Sequence, residues 1–325
     1  MSSFFLVDII LWMFKAGLLN NAIGIDASLS GDGKLFIQCR SGALLFVNKN
    51  NIGINDPDAI RLSSDKGLTL RRLRGLGYST LESKIIGLDE RFKERLPEKM
   101  FGSIFNSFVK VSWPLVVKPG NGSLGIGVCL VSNMRELQTA LQLIRALGFR
   151  SAIIEHLESV REYRAVVLNG VVQYVCMRQP PQITGDGIHS IKFLINIFIY
   201  ENRIPTTYAF SYFRYIESLH YDVNSILKSG ETIRLLFAAN ASAGGKLVDV
   251  TKQCSSFFVR TFESIGKDFG LKLVAIDFFA NDVSDICCHD YKVVELNSTP
   301  GFFHYSRLSK EAKLSIIRLV NEAIK

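Results

Sequence analysis

The chain lacks the cysteine spacings of a zinc site or a disulfide framework. Its 325 residues include six cysteines, no two of them in a CxxC pair, and the single close pair is the adjacent Cys287 and Cys288. Secreted disulfide scaffolds and structural zinc sites both depend on characteristic cysteine spacings. We therefore expect reduced thiols and a cytoplasmic protein, and we assign the adjacent pair no role.

A long hydrophobic run is also absent. The most apolar stretch, from Phe4 to Leu19, is interrupted by Asp8 and Lys15 and has no basic segment before it. It is too short to span a bilayer and is a poor signal peptide, so we expect no stable membrane insertion. The pattern predicts an amphipathic helix that packs on the body of the protein or on a partner subunit. In the second case the protein would be a homodimer. Peripheral membrane contact is the lesser alternative.

Charge of one sign is only mildly in excess. The chain has 38 Lys and Arg against 30 Asp and Glu, a formal net charge of +8, and 48% of its residues are hydrophobic. This composition excludes intrinsic disorder. The charge is spread along the chain and favours an anionic partner without identifying it. Because no basic patch with interleaved aromatic residues occurs, nucleic acid is the weakest of these partners, and we expect none.

Two turn signals predict β-hairpins. Ser41-Gly42 divides the run KLFIQCRSGALLFVN, and Asn169-Gly170 divides REYRAVVLNGVVQYVCM. An Asn-Gly pair between alternating apolar residues is one of the strongest short-range hairpin signals. Further strands and helices follow, so the sequence predicts an α+β or α/β protein, of which we adopt α+β as the fold class.

Apolar spacing predicts helices in two places. One helix is expected to be capped by Ser64 and to bury Leu70 and Leu73. A second is expected over 134–147, where apolar residues recur at i, i+3, i+4 and i+7. The charged stretch 79–110 is interpreted as a helix-bearing connection between domains.

Three polar side chains near the end of the chain form a candidate cation site. Glu295 and Asn297 are two positions apart in a predicted strand, so both project from one face while Val294 and Leu296 pack on the other. Asp277 is a carboxylate in a second apolar strand, where an unpaired charge is costly. Oxygen ligands of this number suit a magnesium ion shared with substrate phosphates. The alternative is that lysine, arginine or backbone donors satisfy these carboxylates.

A glycine-rich loop follows another apolar strand. The segment Gly120 to Gly127 contains four glycines, whose backbone N–H groups can approach an anion closely. Lys118 precedes it at the strand end, where an ammonium group can reach the same anion. Taken alone, the loop is as well explained by a hairpin turn and the lysine by ordinary exposure of its charged end.

Seven segments in a fixed order carry a resemblance to a known family. They are Asp65-Lys66, PLVVKP with its glycine-rich loop, IIEHLESVREYR, MRQPPQITGDGIHSI, NASAGGKLVDVT, AIDFF and ELNSTPGFFH. Together they resemble the ATP-grasp superfamily of carboxylate-amine ligases, most closely the ATP-grasp portion of cyanophycin synthetases and bifunctional glutathione synthetases. The resemblance runs from about Ile60 to His304 and includes the residues considered above.

The resemblance implies an ATP site and a magnesium site. Nucleotide phosphates would be bound by Lys66, Lys118 and the loop residues Gly122, Ser123, Gly125 and Gly127. Adenine would be held by Glu155, His156 and Leu157, and the ribose by Glu162. Magnesium would be held by Asp277, Glu295 and Asn297. The residues expected to act on the reacting groups are Arg178, near the transferred phosphate, and Asn240, at the phosphate or substrate.

The resemblance also implies a domain order and an activity. A short N-terminal domain with connecting helices is expected over 1–105, a lid over 106–157 and a larger domain over 158–325, the last two clasping ATP. The implied activity is ATP- and Mg²⁺-dependent ligation of a carboxylate, from an amino acid or short peptide, to an amine through an acyl phosphate. The alternatives are a small-molecule kinase of the same fold and a nucleotide-binding protein without turnover.

Overall fold

The computed structural model describes residues 6–26, 34–88, 113–121, 127–157, 160–285 and 290–325. The chain forms two compact units, each assembled from separate segments. The first unit consists of Met1–Thr80, Glu162–Met177 and Leu247–Lys325, and the second of Leu81–Arg161 and Arg178–Lys246. The predicted domain boundaries at 105/106 and 157/158 stay predictions, because residues 105, 106 and 158 lie outside the described ranges.

Strands and helices alternate along the described chain. The strands are β1 (Ala22–Asp26), β2 (Lys34–Cys39), β3 (Leu44–Asn48), β4 (Ser83–Gly87), β5 (Leu115–Pro119), β6 (Cys129–Val131), β7 (Ser151–His156), β8 (Arg161–Leu168), β9 (Val171–Gln179), β10 (Gln182–Thr184), β11 (Thr232–Arg234), β12 (Lys246–Asp249), β13 (Leu273–Ala280) and β14 (Tyr291–Asn297). The helices are α1 (Leu6–Lys15), α2 (Pro57–Ser64), α3 (Lys66–Gly75), α4 (Met134–Ala146), α5 (Ile191–Glu201), α6 (Thr207–Ser218), α7 (Ser256–Asp268), α8 (Phe303–Ser306) and α9 (Lys310–Ala323).

A five-stranded sheet with the order β12-β9-β8-β13-β14 forms the centre of the first unit. Alternation along β8 sends Val166 and Leu168 into an apolar layer shared with α1, α9 and the three-stranded sheet β1-β2-β3. Ala165 and Val167 point the other way, into a layer that contains Phe258 and other residues of α7. Both faces of the sheet are therefore covered, and the α+β prediction is confirmed.

The predicted N-terminal amphipathic helix is α1. Its apolar side chains Leu6, Val7, Ile10 and Met13 are buried in the first unit. The exposed ring of Trp12 lies under the Lys313 ammonium, at 4.1 Å from the ring centroid. The helix thus packs on the body of the protein, as one of the two predicted arrangements requires. Among the described residues, no helix combines the length and the apolar character needed to cross a membrane.

Both predicted hairpins are confirmed. Strands β2 and β3 pair antiparallel on either side of Gly42, which has φ 84°. Strands β8 and β9 are neighbours in the sheet and are joined by Asn169 and Gly170, with φ 50° and 76°. Positive φ at both turn residues is what a tight type I′ turn requires, and Asn-Gly satisfies it at low cost.

The cap of α3 is Asp65, so the prediction of Ser64 is wrong. The Asp65 carboxylate accepts a hydrogen bond from the backbone N–H of Leu68 at 2.9 Å. Ser64 ends α2, where its hydroxyl donates to the Arg61 carbonyl. A serine that bonds back within its own helix is not available to cap the next one. As a result, Lys66 is the first residue of α3.

The second unit contains a four-stranded sheet with the order β4-β7-β5-β6. Helix α4 packs on it through Leu137, Ala140, Leu141 and Ile144, which confirms the predicted helix. Strand β4 was not predicted, because its five residues fall in the stretch interpreted as a helix-bearing connection. Residues 89–110 of that stretch lie outside the described residues.

Helices α5 and α6 complete the second unit and were not predicted either. The segment IKFLINIFIYE is rich in isoleucine, a residue that favours strands. It is nevertheless helical, and its isoleucines at positions 191, 195 and 199 are buried at helical spacing beside α6 and the two-stranded sheet β10-β11. Tertiary burial here outweighs the local preference.

Gly185, in the GDG segment, allows a close approach of two backbone segments. A Cβ at this position would lie 2.4 Å from the Lys228 carbonyl oxygen and 2.5 Å from the Leu227 Cβ. Overpacking of this kind destabilises a protein by about 1–3 kcal/mol. We expect Gly185→Ala to lower the free energy of unfolding by that amount in chemical denaturation. Gly87→Ala is the control, because a Cβ there meets nothing within 4 Å. Equal stability of the two variants would contradict the packing argument.

Candidate active site

The predicted metal ligands lie on two paired strands of the first unit. Asp277 in β13 and Glu295 in β14 are direct cross-strand partners, and Asn297 pairs with Ala275 two positions along. The register shifts immediately beyond Asp277, where Phe278 pairs with Val293 and leaves Val294 as the extra residue of a β-bulge. The carboxylates of Asp277 and Glu295 are therefore held side by side.

The bulge changes which residues pack on the apolar face. Leu296 is buried as predicted, but Val294 is only half-buried, and Val293 packs with Leu296 in its place. Without the extra residue, simple alternation would place Val293 and Glu295 on one face. The bulge separates them, so that Val293 joins the core while Glu295 and Asn297 share the opposite face.

Asp277 is bound by Arg164, which is not among the predicted site residues. The guanidinium of Arg164, on the adjacent strand β8, donates to both carboxylate oxygens, with distances of 2.6 and 2.7 Å. The Asp277 side chain is only 5% exposed. Burial by itself lowers the pKa of Arg164, but the carboxylates of Asp277 and Glu295 raise it above its usual value. The guanidinium of Arg164 is therefore held in its charged form beside Asp277.

Glu295 is bound by the first residue of α3. The Lys66 ammonium contacts the Glu295 carboxylate, and the two side chains are 16% and 29% exposed. A helix N-terminus carries a partial positive charge that disfavours a lysine. The position of Lys66 is thus explained by its anionic partner and not by helix stability.

Asn297 takes part in the turn that follows β14. Its Oδ1 accepts a hydrogen bond from the backbone N–H of Thr299 at 2.9 Å. An amide oxygen has a second lone pair, so this bond does not exclude a further ligand.

The ion pairs match the alternative in which lysine and arginine satisfy the strand carboxylates. The sequence does contain a signal for Arg164. Alternation along REYRAVV places it on the same strand face as Val166 and Leu168, which are buried. A charged side chain on such a face requires a partner. Its partner, however, lies 113 residues further on. Strand order was needed to bring the two together.

The donor set suits a cation that is shared with a substrate. Within the described ranges, no group of three or more His, Cys, Asp or Glu side chains is arranged to hold a metal ion. Two carboxylates and one amide oxygen are too few for an all-protein cage. Magnesium is commonly held in this way, by one or two carboxylates together with phosphate oxygens and water. The residues present therefore fit magnesium bound together with a phosphate ligand.

A second ion pair lies in the sheet of the second unit. Lys118 on β5 contacts Glu155 on β7, with 2.6 Å between Nζ and Oε2. The residues are 9% and 3% exposed, and Oε1 of Glu155 is a buried atom with no hydrogen-bond partner among the described residues. Leaving a buried acceptor unsatisfied is costly. Such an atom fits a donor group supplied by a ligand.

Only some of the other residues that are predicted to bind the nucleotide lie in the described ranges. His156 ends β7, with its Nε2 3.8 Å from the Glu82 carboxylate. Leu157 and Glu162 are both half-buried. Gly127 has φ 74°, a conformation that favours glycine. Gly122, Ser123 and Gly125 lie outside the described residues.

Asn240 organises a short turn in the second unit. Its Oδ1 accepts from the backbone N–H of Ser242 at 3.0 Å, capping the 3₁₀ turn Ala241–Ala243. Its side chain also bonds the Tyr208 hydroxyl, whose pKa is raised by burial and partly lowered again by this bond. Arg178 is half-buried near the end of β9. Both predicted roles at the substrate stay predictions.

The architecture is that of the ATP-grasp ligases. A bifunctional glutathione synthetase from Pasteurella multocida superimposes with a TM-score of 0.58 over 98% of this chain and 44% of that chain, at 18% identity. A D-alanine–D-alanine ligase from Bacillus anthracis superimposes with a TM-score of 0.50 over 83% of this chain and 68% of that one, at 16% identity. At these identities the comparison shows the fold, and the predicted ATP-grasp fold is confirmed.

Sequence relatives lie among the same enzymes. The chain is 26% identical to a cyanophycin synthetase from Trichormus variabilis over 254 residues, which are 75% of this chain and 27% of that protein. It is 26% identical to a glutathione biosynthesis bifunctional protein from Streptococcus agalactiae over 208 residues, 59% of this chain and 28% of that protein. The chain spans about a quarter of the length of such relatives. No protein-family model matches it. The predicted resemblance to ATP-grasp carboxylate-amine ligases is confirmed.

Removing one partner of the buried Lys118–Glu155 pair is expected to destabilise the protein strongly. We expect Lys118→Met to lower the free energy of unfolding by about 3 kcal/mol, because it leaves a buried carboxylate without its cation. The double variant Lys118→Met/Glu155→Met is expected to recover most of the loss. Chemical denaturation measures both.

The control for this cycle is an exposed ion pair. Arg61 and Asp58 are each 80% exposed and 3.1 Å apart, so Arg61→Met is expected to change stability little. If Lys118→Met had as small an effect as Arg61→Met, the Lys118–Glu155 pair would not be the buried, mutually dependent pair described here.

Proposed function

We propose that the protein is an ATP- and Mg²⁺-dependent ligase that joins a small-molecule carboxylate to an amine through an acyl phosphate. The similarity to ATP-grasp ligases in sequence and in fold supports the reaction class. The curated relatives are about four times longer than the matched region. The activity and substrates of this chain are therefore proposed, and the activity of the whole relatives is not assigned to it.

The observation that carries the proposal is the unpartnered Glu155 Oε1 beside Lys118. A buried carboxylate oxygen that lacks a donor is satisfied by an N–H group of a ligand, and the amino group of adenine is such a donor. Lys118 would then lie where it can bind a nucleotide phosphate. Backbone groups of His156 and Leu157 would complete adenine binding, and Glu162 would bind the ribose hydroxyls.

Asp277, Glu295 and Asn297 are proposed to hold magnesium together with phosphate oxygens. When bound, the ion would neutralise negative charge on the transferred phosphoryl group. Lys66 and Arg178 are each proposed to donate to a nucleotide phosphate, and Gly122, Ser123, Gly125 and Gly127 to do so through backbone N–H groups. All of these groups act electrostatically, which is the main contribution that proteins make to phosphoryl transfer.

The reaction requires no nucleophilic side chain. An oxygen of the substrate carboxylate attacks the γ-phosphorus of ATP, ADP leaves, and an acyl phosphate forms. The amine of the second substrate then attacks the acyl carbon, loses a proton, and displaces inorganic phosphate. Asn240 is proposed to contact the phosphate or the substrate during these steps.

The expected substrates are amino acids or short peptides, in the cytoplasm. This expectation rests on the resemblance, because one fold serves many substrates. The direct test measures release of inorganic phosphate over pairs of amino acids and short peptides, followed by mass spectrometry of the products. A ligase yields ADP, phosphate and an amide. ADP with a phosphorylated product and no free phosphate would indicate a kinase, and no turnover over the whole panel would indicate a nucleotide-binding protein.

The metal assignment can be tested separately from the substrates. We expect Glu295→Ala to reduce ATP turnover by about a hundredfold or more, because a metal ligand contributes several kcal/mol to charge stabilisation. The matched control is Asp290→Ala, an exposed carboxylate just before the same strand, which should retain activity. Circular dichroism and thermal unfolding verify that both variants fold. Full activity of Glu295→Ala would refute the magnesium site.

A further inference from the structure

We propose that Lys66 is a transferable counter-ion, which holds Glu295 while no nucleotide is bound and moves to a nucleotide phosphate when ATP binds. Glu295 is thereby released for the divalent cation. The inference rests on the proposed function, since it requires that the chain bind ATP and a divalent cation. It adds a coupling to that function: nucleotide and cation each bind more tightly once Lys66 has left Glu295.

The charges around Asp277 and Glu295 balance. Asp277 and Glu295 carry two negative charges, and Arg164 and Lys66 contact them with two positive charges. The net charge of these four side chains is therefore zero. A divalent cation that binds there gains little attraction until one of the two internal cations leaves.

The two internal cations, Arg164 and Lys66, are bound differently. Arg164 forms two parallel bonds to the two oxygens of Asp277, whose side chain is 5% exposed. Removal of this guanidinium would leave a buried charge unpaired, so it is fixed. Lys66 offers a single ammonium on a flexible stem, and its partner Glu295 is 29% exposed. Of the two, Lys66 is the cation that can be exchanged.

Lys66 occupies an electrostatically unfavourable position on its helix. As the first residue of α3, it experiences the partial positive charge of the helix N-terminus, which disfavours an ammonium there. Its location is thus favourable only while an anion is near. A triphosphate carries more negative charge than one carboxylate and can replace Glu295 as that anion.

The exchange makes nucleotide and cation binding cooperative. ATP removes Lys66 from Glu295 and so strengthens cation binding, and a cation on Glu295 releases Lys66 and so strengthens ATP binding. Thermodynamic linkage requires the two effects to be equal. In the absence of nucleotide, the cation should bind weakly even though its ligands are in place.

The test measures Mn²⁺ binding to the full chain by electron paramagnetic resonance, without nucleotide. We expect Lys66→Met to bind Mn²⁺ about tenfold more tightly than the wild-type protein, because Glu295 loses its competing cation. Lys66→Arg should bind as weakly as wild type. Arg71→Met is the matched control, because it removes one positive charge from an exposed position of the same helix and should leave Mn²⁺ binding unchanged.

A double variant verifies which ligand is involved. Lys66→Met/Glu295→Gln should lose the tightened Mn²⁺ binding, since the released carboxylate is no longer there. If Lys66→Met does not fold, Lys66→Gln replaces it, and thermal unfolding shows which variant is usable. Tight Mn²⁺ binding to the wild-type protein, or equal binding to wild type and to the folded Lys66 variant, would overturn the inference.

ATP binding to the wild-type protein, measured by calorimetry with Mg²⁺, separates this inference from the proposed function. Lack of ATP binding would refute the proposed function whatever the Mn²⁺ result. ATP binding together with unchanged Mn²⁺ affinity in Lys66→Met would refute the counter-ion exchange alone. We expect ATP with Mg²⁺ to bind wild type, and to bind Lys66→Met more weakly, because the lost charge-assisted bond to phosphate outweighs the Lys66–Glu295 contact that no longer has to be broken.

Discussion

The requirement that a buried carboxylate have a cation determines much of the first unit. Asp277 lies in the middle of an apolar strand, where an unpaired charge would cost several kcal/mol. Arg164 meets that requirement from the neighbouring strand, with both guanidinium bonds to one carboxylate. Strand order and strand register must then place the two residues opposite each other, so the central sheet and the ion pair depend on each other.

A single extra residue in β14 converts this structural pair into part of a candidate site. Because Val294 is bulged, Val293 and Leu296 can both pack in the apolar layer while Glu295 faces away beside Asp277. A regular strand would have to bury the acid or expose the valine. The bulge is therefore the local reason why Glu295 and Asn297 can share one face of β14 with Asp277 beside them, while Val293 and Leu296 pack into the apolar layer on the other face.

Local signals in the sequence were sufficient for some elements and not for others. Asn169-Gly170 determined its hairpin, since few other residues adopt two successive positive φ values. Apolar spacing was likewise enough for α4. The isoleucine-rich α5 was missed because its strand preference is overridden by burial beside another helix. The Asp277–Arg164 pair was missed for a different reason: its members are 113 residues apart, and only the folded sheet brings them into contact. The acids themselves were identified from alternation, although their counter-ions were not.

Motif residues differ in how far their identity is explained by packing. In the NASAGG segment, Asn240 caps its own turn, and a Cβ on Gly244 or Gly245 would lie within 2.6 or 2.8 Å of neighbouring atoms. The local fold accounts for these residue types without a substrate. Asp277 and Glu155 are the opposite case, because an apolar residue in either strand would remove a desolvation cost. A buried acid with its own cation brings no packing advantage over an apolar residue. The resemblance to ATP-grasp ligases at Asp277 and Glu155 therefore supports an ATP and magnesium site. The resemblance in the NASAGG segment mainly supports the fold.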